Sequence, residues 1–171
     1  MSKQQSIGAN LTSLMNSLGS KDGMIRQKSR ISLVALGRLA VRPLIQALQD
    51  SKRVQIRWEA AKALVALRDP SSIPALVEAL EDRDSDVAWL AAEGLIEFKK
   101  AAWSPLLEAL IERGSKAVRL CEGAHHVFRN QKARGFNDLL AALEKALEFS
   151  DDTKWAAVVA YDILKRMQAT V

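Results

Sequence analysis

The sequence predicts an all-α protein, a solenoid of about five stacked helical hairpins, and three observations carry that prediction. Pro43, Pro74 and Pro105 stand 31 residues apart, and Ile56, Val87 and Val118 repeat the interval in the second half of each unit. A fixed period of this size marks one supersecondary unit copied and stacked. Apolar residues recur at helical rather than alternating spacing, and aromatic, Gly and Pro residues are scarce, so strands have little support. Nearly half of the 171 residues are apolar, enough for a core without disulfides or metal.

Taken in order, the first helix is predicted over Ile7 to Leu18, with Leu11, Leu14, Met15 and Leu18 on one face and Gly19 as a stop. The second runs from Met24 to Leu39. A third, Val41 to Gln49, carries Pro43 in its first turn, where a missing N–H does no harm. Asp50 to Arg53 makes the turn into a helix over Val54 to Leu67. Asp69-Pro70-Ser71-Ser72 breaks the chain, with Ser72 the expected N-cap of a helix through Leu80. The acidic turn Glu81 to Ser85 leads to a helix over Asp86 to Phe98. The third copy reads Trp103 to Leu110, a turn through Arg113-Gly114-Ser115 and a helix to Asn130. Phe136 to Phe149 and, after the cap Ser150-Asp151-Asp152, a helix to Met167 form a looser last pair. Ala156-Ala157 matches Ala60-Ala61 and Ala91-Ala92 only after a three-residue insertion, as expected of a repeat that closes a stack. The whole chain, 1–171, is expected to be one repeat domain, with the best-matched repeats at 24–128 and capping hairpins at 1–23 and 129–171.

A lone hairpin of this kind could not stand. Ordering ~31 residues costs on the order of 30 to 60 kcal/mol of backbone entropy, while each buried Leu or Ile returns about 1.5 to 3. Stacking supplies the missing burial.

The single Cys121 has no internal partner, the first residues lack a signal-peptide layout, and no apolar run approaches bilayer length. A cytoplasmic protein with no membrane role is expected. Net charge is +5 but unevenly placed: residues 1–57 hold ten Lys/Arg against two acidic residues, and the remainder holds fifteen against eighteen. One end is therefore either a solvated basic surface or a place to meet an acidic partner, nucleic acid included.

On a helical wheel, Ile56, Ala60, Ala63, Leu64 and Leu67 share the arc that faces the partner helix, and Trp58, Ala61 and Val65 form a second apolar stripe. Moved by 31 residues the stripe becomes Trp89, Ala92 and Ile96, then Leu120, Gly123 and Val127, and one unit earlier Gln27, Arg30 and Val34. If second helices line a concave wall, Trp58, Val65, Trp89, Ile96, Leu120 and Val127 make a continuous strip bordered by Arg30, Lys62 and Glu93. The two indoles either stand open on that strip or pack between neighbouring hairpins.

The phrases Val54 to Leu64 (VQIRWEAAKAL), Ile73 to Leu80 (IPALVEAL) and Leu80 to Val87 (LEDRDSDV) resemble HEAT repeats, specifically the short type of the phycobilisome lyases. The likeness is good over Met24 to Phe128 and implies a right-handed α-α superhelix. The family's ladder of turn Asp and helix-start Arg resembles Asp50 with Arg57 and Glu112 with Arg119, whereas Ala88 interrupts it after Asp82. By this likeness Arg26, Arg57 and Arg119 are structural.

Catalytic signals are sparse. No phosphate loop, nucleophile elbow or paired Cys motif occurs; His125 and His126 point about 100° apart on a helix and do not form a metal pair. Cys121 lies one turn before His125, which could activate it, although a lone helical Cys is ordinarily packing. Trp89 with Glu93, and Trp58 one repeat away, resemble the site of HEAT-like alkylpurine DNA glycosylases, with Glu in place of that family's Asp and an acidic second half that would repel DNA. The expected function is a non-enzymatic protein-interaction scaffold, a monomer or weak homo-oligomer without cofactor, that takes a partner helix or peptide on its concave face. DNA or RNA binding is the alternative.

Overall fold

A computed structural model describes residues 3–114, 116–129, 131–148 and 153–169. The order is α1 (Lys3–Ser17), α2 (Gly23–Ala35), α3 (Arg38–Asp50), α4 (Val54–Leu67), α5 (Ile73–Ala79), α6 (Ser85–Phe98), α7 (Trp103–Arg113), α8 (Val118–Phe128), α9 (Asn137–Glu148) and α10 (Thr153–Ala169). Single 3-10 turns lie at Pro70–Ser72 and Lys99–Ala102, and the described residues contain no strand. The fold is all-α. Packing divides the chain into two compact units, Met1–Ala75 and Leu76–Val171. Ser115, the predicted helix ends at Asn130 and Phe149, and the predicted cap Ser150-Asp151-Asp152 lie outside the described residues.

In the first unit α3 packs on α4, α2 packs on α4, and α1 rests on α2 and α3. Ala40, Leu44 and Leu48 of α3 are buried where it packs on α4, and of the arc expected to face the partner helix Ala60, Ala63 and Leu64 are buried while Ile56 and Leu67 are half-buried. Asp22 caps α2 by accepting from the Met24 N–H at 2.8 Å. The helix predicted through Leu39 stops at Ala35, because Gly37 takes φ +60° and starts α3 early. Leu39 is consequently exposed on α3, and Pro43 sits inside that helix rather than in its first turn. The expected cap Ser72 is corrected to Asp69: its carboxylate accepts from the Ser71 N–H at 3.0 Å and Ser71 Oγ at 2.7 Å, while Ser72 Oγ donates to the Asp69 carbonyl. Pro70 sets the 3-10 turn that moves the cap three residues upstream.

In the second unit α6 packs on α8, α8 on α9, and α10 on both α7 and α9. Asp84 caps α6 through the N–H groups of Asp86 and Val87. The last hairpin departs from the repeat. By sequence α10 aligns with the second helices α4 and α6, yet it packs on α7, a first helix, and α9 takes the place beside α8. Aromatic packing anchors the exchange: Phe136, just before α9, meets Trp103 of α7 edge-on at 5.8 Å, and Phe128 of α8 meets the same indole at 6.0 Å. Arg166 of α10 donates to the Gly135 carbonyl and to Asp138, closing α10 onto the start of α9.

The 31-residue period is also written in the backbone. Gly37 (φ +60°), Arg68 (φ +52°) and Lys99 (φ +52°) occupy one register position in three successive repeats and all take positive φ after a second helix. Gly37 and Lys99 share nearly the same ψ, −134° and −135°, a combination that glycine tolerates and a side chain resists. At Arg68 the ψ is 31°, the ordinary left-handed well, and Asp69 ahead of Pro70 is extended. The repeat demands the turn whichever residue occupies it.

Candidate functional site

In the second unit α6 and α8 lie side by side and run in the same direction. Arg119 in the first turn of α8 donates to the Asp82 carbonyl just before α6 at 2.7 Å, and His126, two turns on, lies 2.7 Å from Glu93 Oε1, two turns into α6. Arg113 adds an ion pair to Glu81 at 2.9 Å. Arg119, expected opposite Glu112, thus reaches the turn after α5 through the Asp82 carbonyl.

Between the two helices opens a groove of about 380 Å3, walled by Ala88, Trp89, Ala92, Arg119, Glu122 and His126 with Leu80 beneath. Its depth depends on Gly123. A Cβ there would stand 2.9 Å from Leu80 Cδ2 and 3.1 Å from Leu80 Cβ, so any larger residue would have to push the Leu80 side chain aside. Trp89 is 57 % exposed and lines the groove.

The residues of the expected strip fare differently. Trp89 is open, and Ile96 and Glu93 are partly exposed on the same helix. In the first unit Trp58 and Val65 are half-buried, and Lys62 places its ammonium 4.5 Å from the centre of the Trp58 ring. Leu120 and Val127 are corrected: at 0 % and 1 % exposure they are core, because α8 is flanked by both α6 and α9 and has little open circumference left. Arg30 is corrected as well. Its Nη1 lies 2.5 Å from Glu59 Oε2 while Arg26 Nε holds Oε1 at 3.2 Å, so both guanidinium groups join α2 to α4. Arg57 is buried and donates to the Ser51 carbonyl at 3.0 Å.

Cys121 is buried with its thiol on the Gly114 carbonyl at 3.2 Å, and burial, then Glu122 and Glu81, push its pKa up, the opposite of activation. His126 is engaged by Glu93. Among the described residues no three His, Cys, Asp or Glu side chains gather as a metal site, and no helix is long and apolar enough to cross a membrane.

Sequence reasoning missed the bridge from His126 to Glu93. The repeat interval places Ala124, not His126, opposite Glu93; the two-residue offset comes from how the helices slide on each other, which periodicity does not encode. It did carry the signal for the difference between the two indoles, since Lys62 and Glu93 occupy the same register position after Trp58 and Trp89.

Helical hairpins repeating every 31 residues, a positive-φ residue at the same place after three successive second helices, and side-by-side second helices define a helical-repeat protein. Residues 11–96 and 41–125 match the HEAT-repeat family, well over half of the chain, and the protein belongs to that family. A comparison with curated proteins found no match.

Proposed function

We propose that this HEAT-repeat protein is an interaction module, a non-enzymatic scaffold, that receives a partner helix or peptide in the groove between α6 and α8. HEAT repeats commonly serve as protein-interaction scaffolds. The observation that carries the reading is Trp89, a large aromatic side chain left open on the wall of a preformed groove. Such anchors dominate binding energy when a partner covers them, and a helix laid in a groove uses few of them. Ile96, farther along α6, extends the apolar surface. The bond between His126 and Glu93 and the bond between Arg119 and Asp82 hold the walls at fixed separation, which lowers the ordering cost of binding.

The test compares capture of a partner by the wild-type chain and by Trp89→Ala, with Trp58→Ala alongside. Loss of capture with Trp89→Ala at unchanged helical circular dichroism supports the groove. Loss with Trp58→Ala alone would move the site to the first unit, and unchanged capture in both would overturn the reading.

Nucleic acid is the second reading, favoured by Arg38 and Arg42, which stand exposed one turn apart on α3 beside a shallow depression with Val41, Ile45 and Asp69. It draws less support, since Arg26, Arg30 and Arg57 of the basic end are engaged inside the fold. Absence of a gel shift at low salt removes it.

A further inference from the structure

Resting on the reading of the α6–α8 groove as a docking surface, we propose that its occupant is a basic amphipathic segment that lays a Lys or Arg side chain over the open face of Trp89. The internal precedent is one repeat away. Trp58 and Trp89 hold the same register position, and so do the residues one turn later, Lys62 and Glu93. In the first unit the ring is capped by its own helix, with the Lys62 ammonium 4.5 Å from the ring centre. At Trp89 the chain supplies a carboxylate where that cation would be, and the ring stays open.

The charge around the ring fits an incoming cation. Every charged side chain on α6 is acidic: Asp86, Glu93 and Glu97. Glu122 adds a carboxylate from the facing wall. The groove is also lined by Asp82 and by two guanidinium groups, Arg83 at the turn before α6 and Arg119 in the first turn of α8, the latter held on the Asp82 carbonyl, while Glu93 lies 2.7 Å from His126. A cation set between an indole face and carboxylates gains from both, and more so once a partner's apolar residues exclude water. The chain as a whole is positive at +5, so a preference for a basic ligand has to arise at this site rather than from the overall field.

Three dye-labelled amphipathic peptides with one Leu/Ala apolar face, differing only in a central Arg, citrulline or Glu, serve as probes in fluorescence anisotropy with the full chain. The Arg peptide is expected to bind about tenfold more tightly than the citrulline peptide, and the Glu peptide more weakly still. Trp89→Leu, which keeps apolar area and removes the π face, should erase the Arg advantage while retaining binding. Glu93→Lys, which rebuilds the Trp58–Lys62 arrangement at the second indole and gives up the bond to His126, should weaken binding of all three peptides, and of the Arg peptide most. Equal binding of all three peptides with loss in Trp89→Ala would overturn the cationic ligand and leave the docking groove standing. Binding indifferent to Trp89→Ala, or no binding of any peptide, would overturn both.

Discussion

Arg30 Nη1 and Glu59 Oε2 lie 2.5 Å apart across the contact between α2 and α4, and the Glu59 side chain is only 3 % exposed. Arg26 occupies the other carboxylate oxygen, so two cations share one buried anion. Removing the anion takes the shared partner from both, leaving Arg26 on the Ser20 and Lys21 carbonyls, whereas removing one cation leaves the other pair in place. Glu59→Ala is expected to destabilise by about 3 kcal/mol and Arg30→Ala by about 1 to 2. Denaturant midpoints for the two single variants and the double variant check this; additive losses would show that the residues do not interact.

The shared turn position predicts a gain. Lys99 holds φ +52° and ψ −135°, a region that glycine adopts without strain, and Gly37 already fills the equivalent place two repeats earlier. Lys99→Gly is expected to stabilise the protein by about 1 kcal/mol, and Arg68→Gly by less, since Arg68 sits in the ordinary left-handed well. Gly37→Ala should destabilise by a similar amount. Thermal unfolding reads these changes as shifts of about 2 to 4 °C for each kcal/mol at this chain length.

Trp103 is 1 % exposed, packs edge-on against Phe128 and Phe136, and leaves its indole N–H without a hydrogen-bond partner. Truncation to Ala should cost about 3 to 5 kcal/mol by opening a cavity at the meeting of α7, α8 and α9. Trp103→Phe keeps an aromatic edge and deletes the stranded donor, so its cost is expected near 1 kcal/mol. Equal losses in urea unfolding would refute the role of the indole's polar atom.

Burial raises the Cys121 pKa, with Glu122 and Glu81 adding to it. The folded chain holds the thiol proton more tightly than the unfolded chain does, so this contribution to stability is complete below the unfolded thiol pKa and is lost as pH rises through the folded value. Iodoacetamide should therefore modify Cys121 more slowly in the native protein than in urea at neutral pH. Stability should fall on the alkaline side, and fall less in Cys121→Ala. Rapid native alkylation at pH 7 would contradict the buried placement.

Much of the fold was legible in the residues themselves. The proline and Val/Ile intervals carried the repeat length, and of the arc expected on α4 Ala60, Ala63 and Leu64 are buried while Ile56 and Leu67 at its ends are half-buried. Boundaries were less legible where a turn depends on a backbone conformation, as at Gly37, or where a proline moves a cap, as at Asp69. Of the candidate strip, the register pair Lys62 and Glu93 marked the two indoles as different, but spacing alone did not separate Trp89, which is open, from Leu120 and Val127, which α8 buries.

By itself the sequence determined an all-α chain of repeated hairpins, since a local period and local propensity act along one helix at a time. Which apolar stripe stays open, which arginines are engaged, and the exchange that sets α10 on α7 were decided only by tertiary packing. Each depends on the sideways offset between helices, a quantity that arises when surfaces from distant parts of the chain compete for the same neighbour.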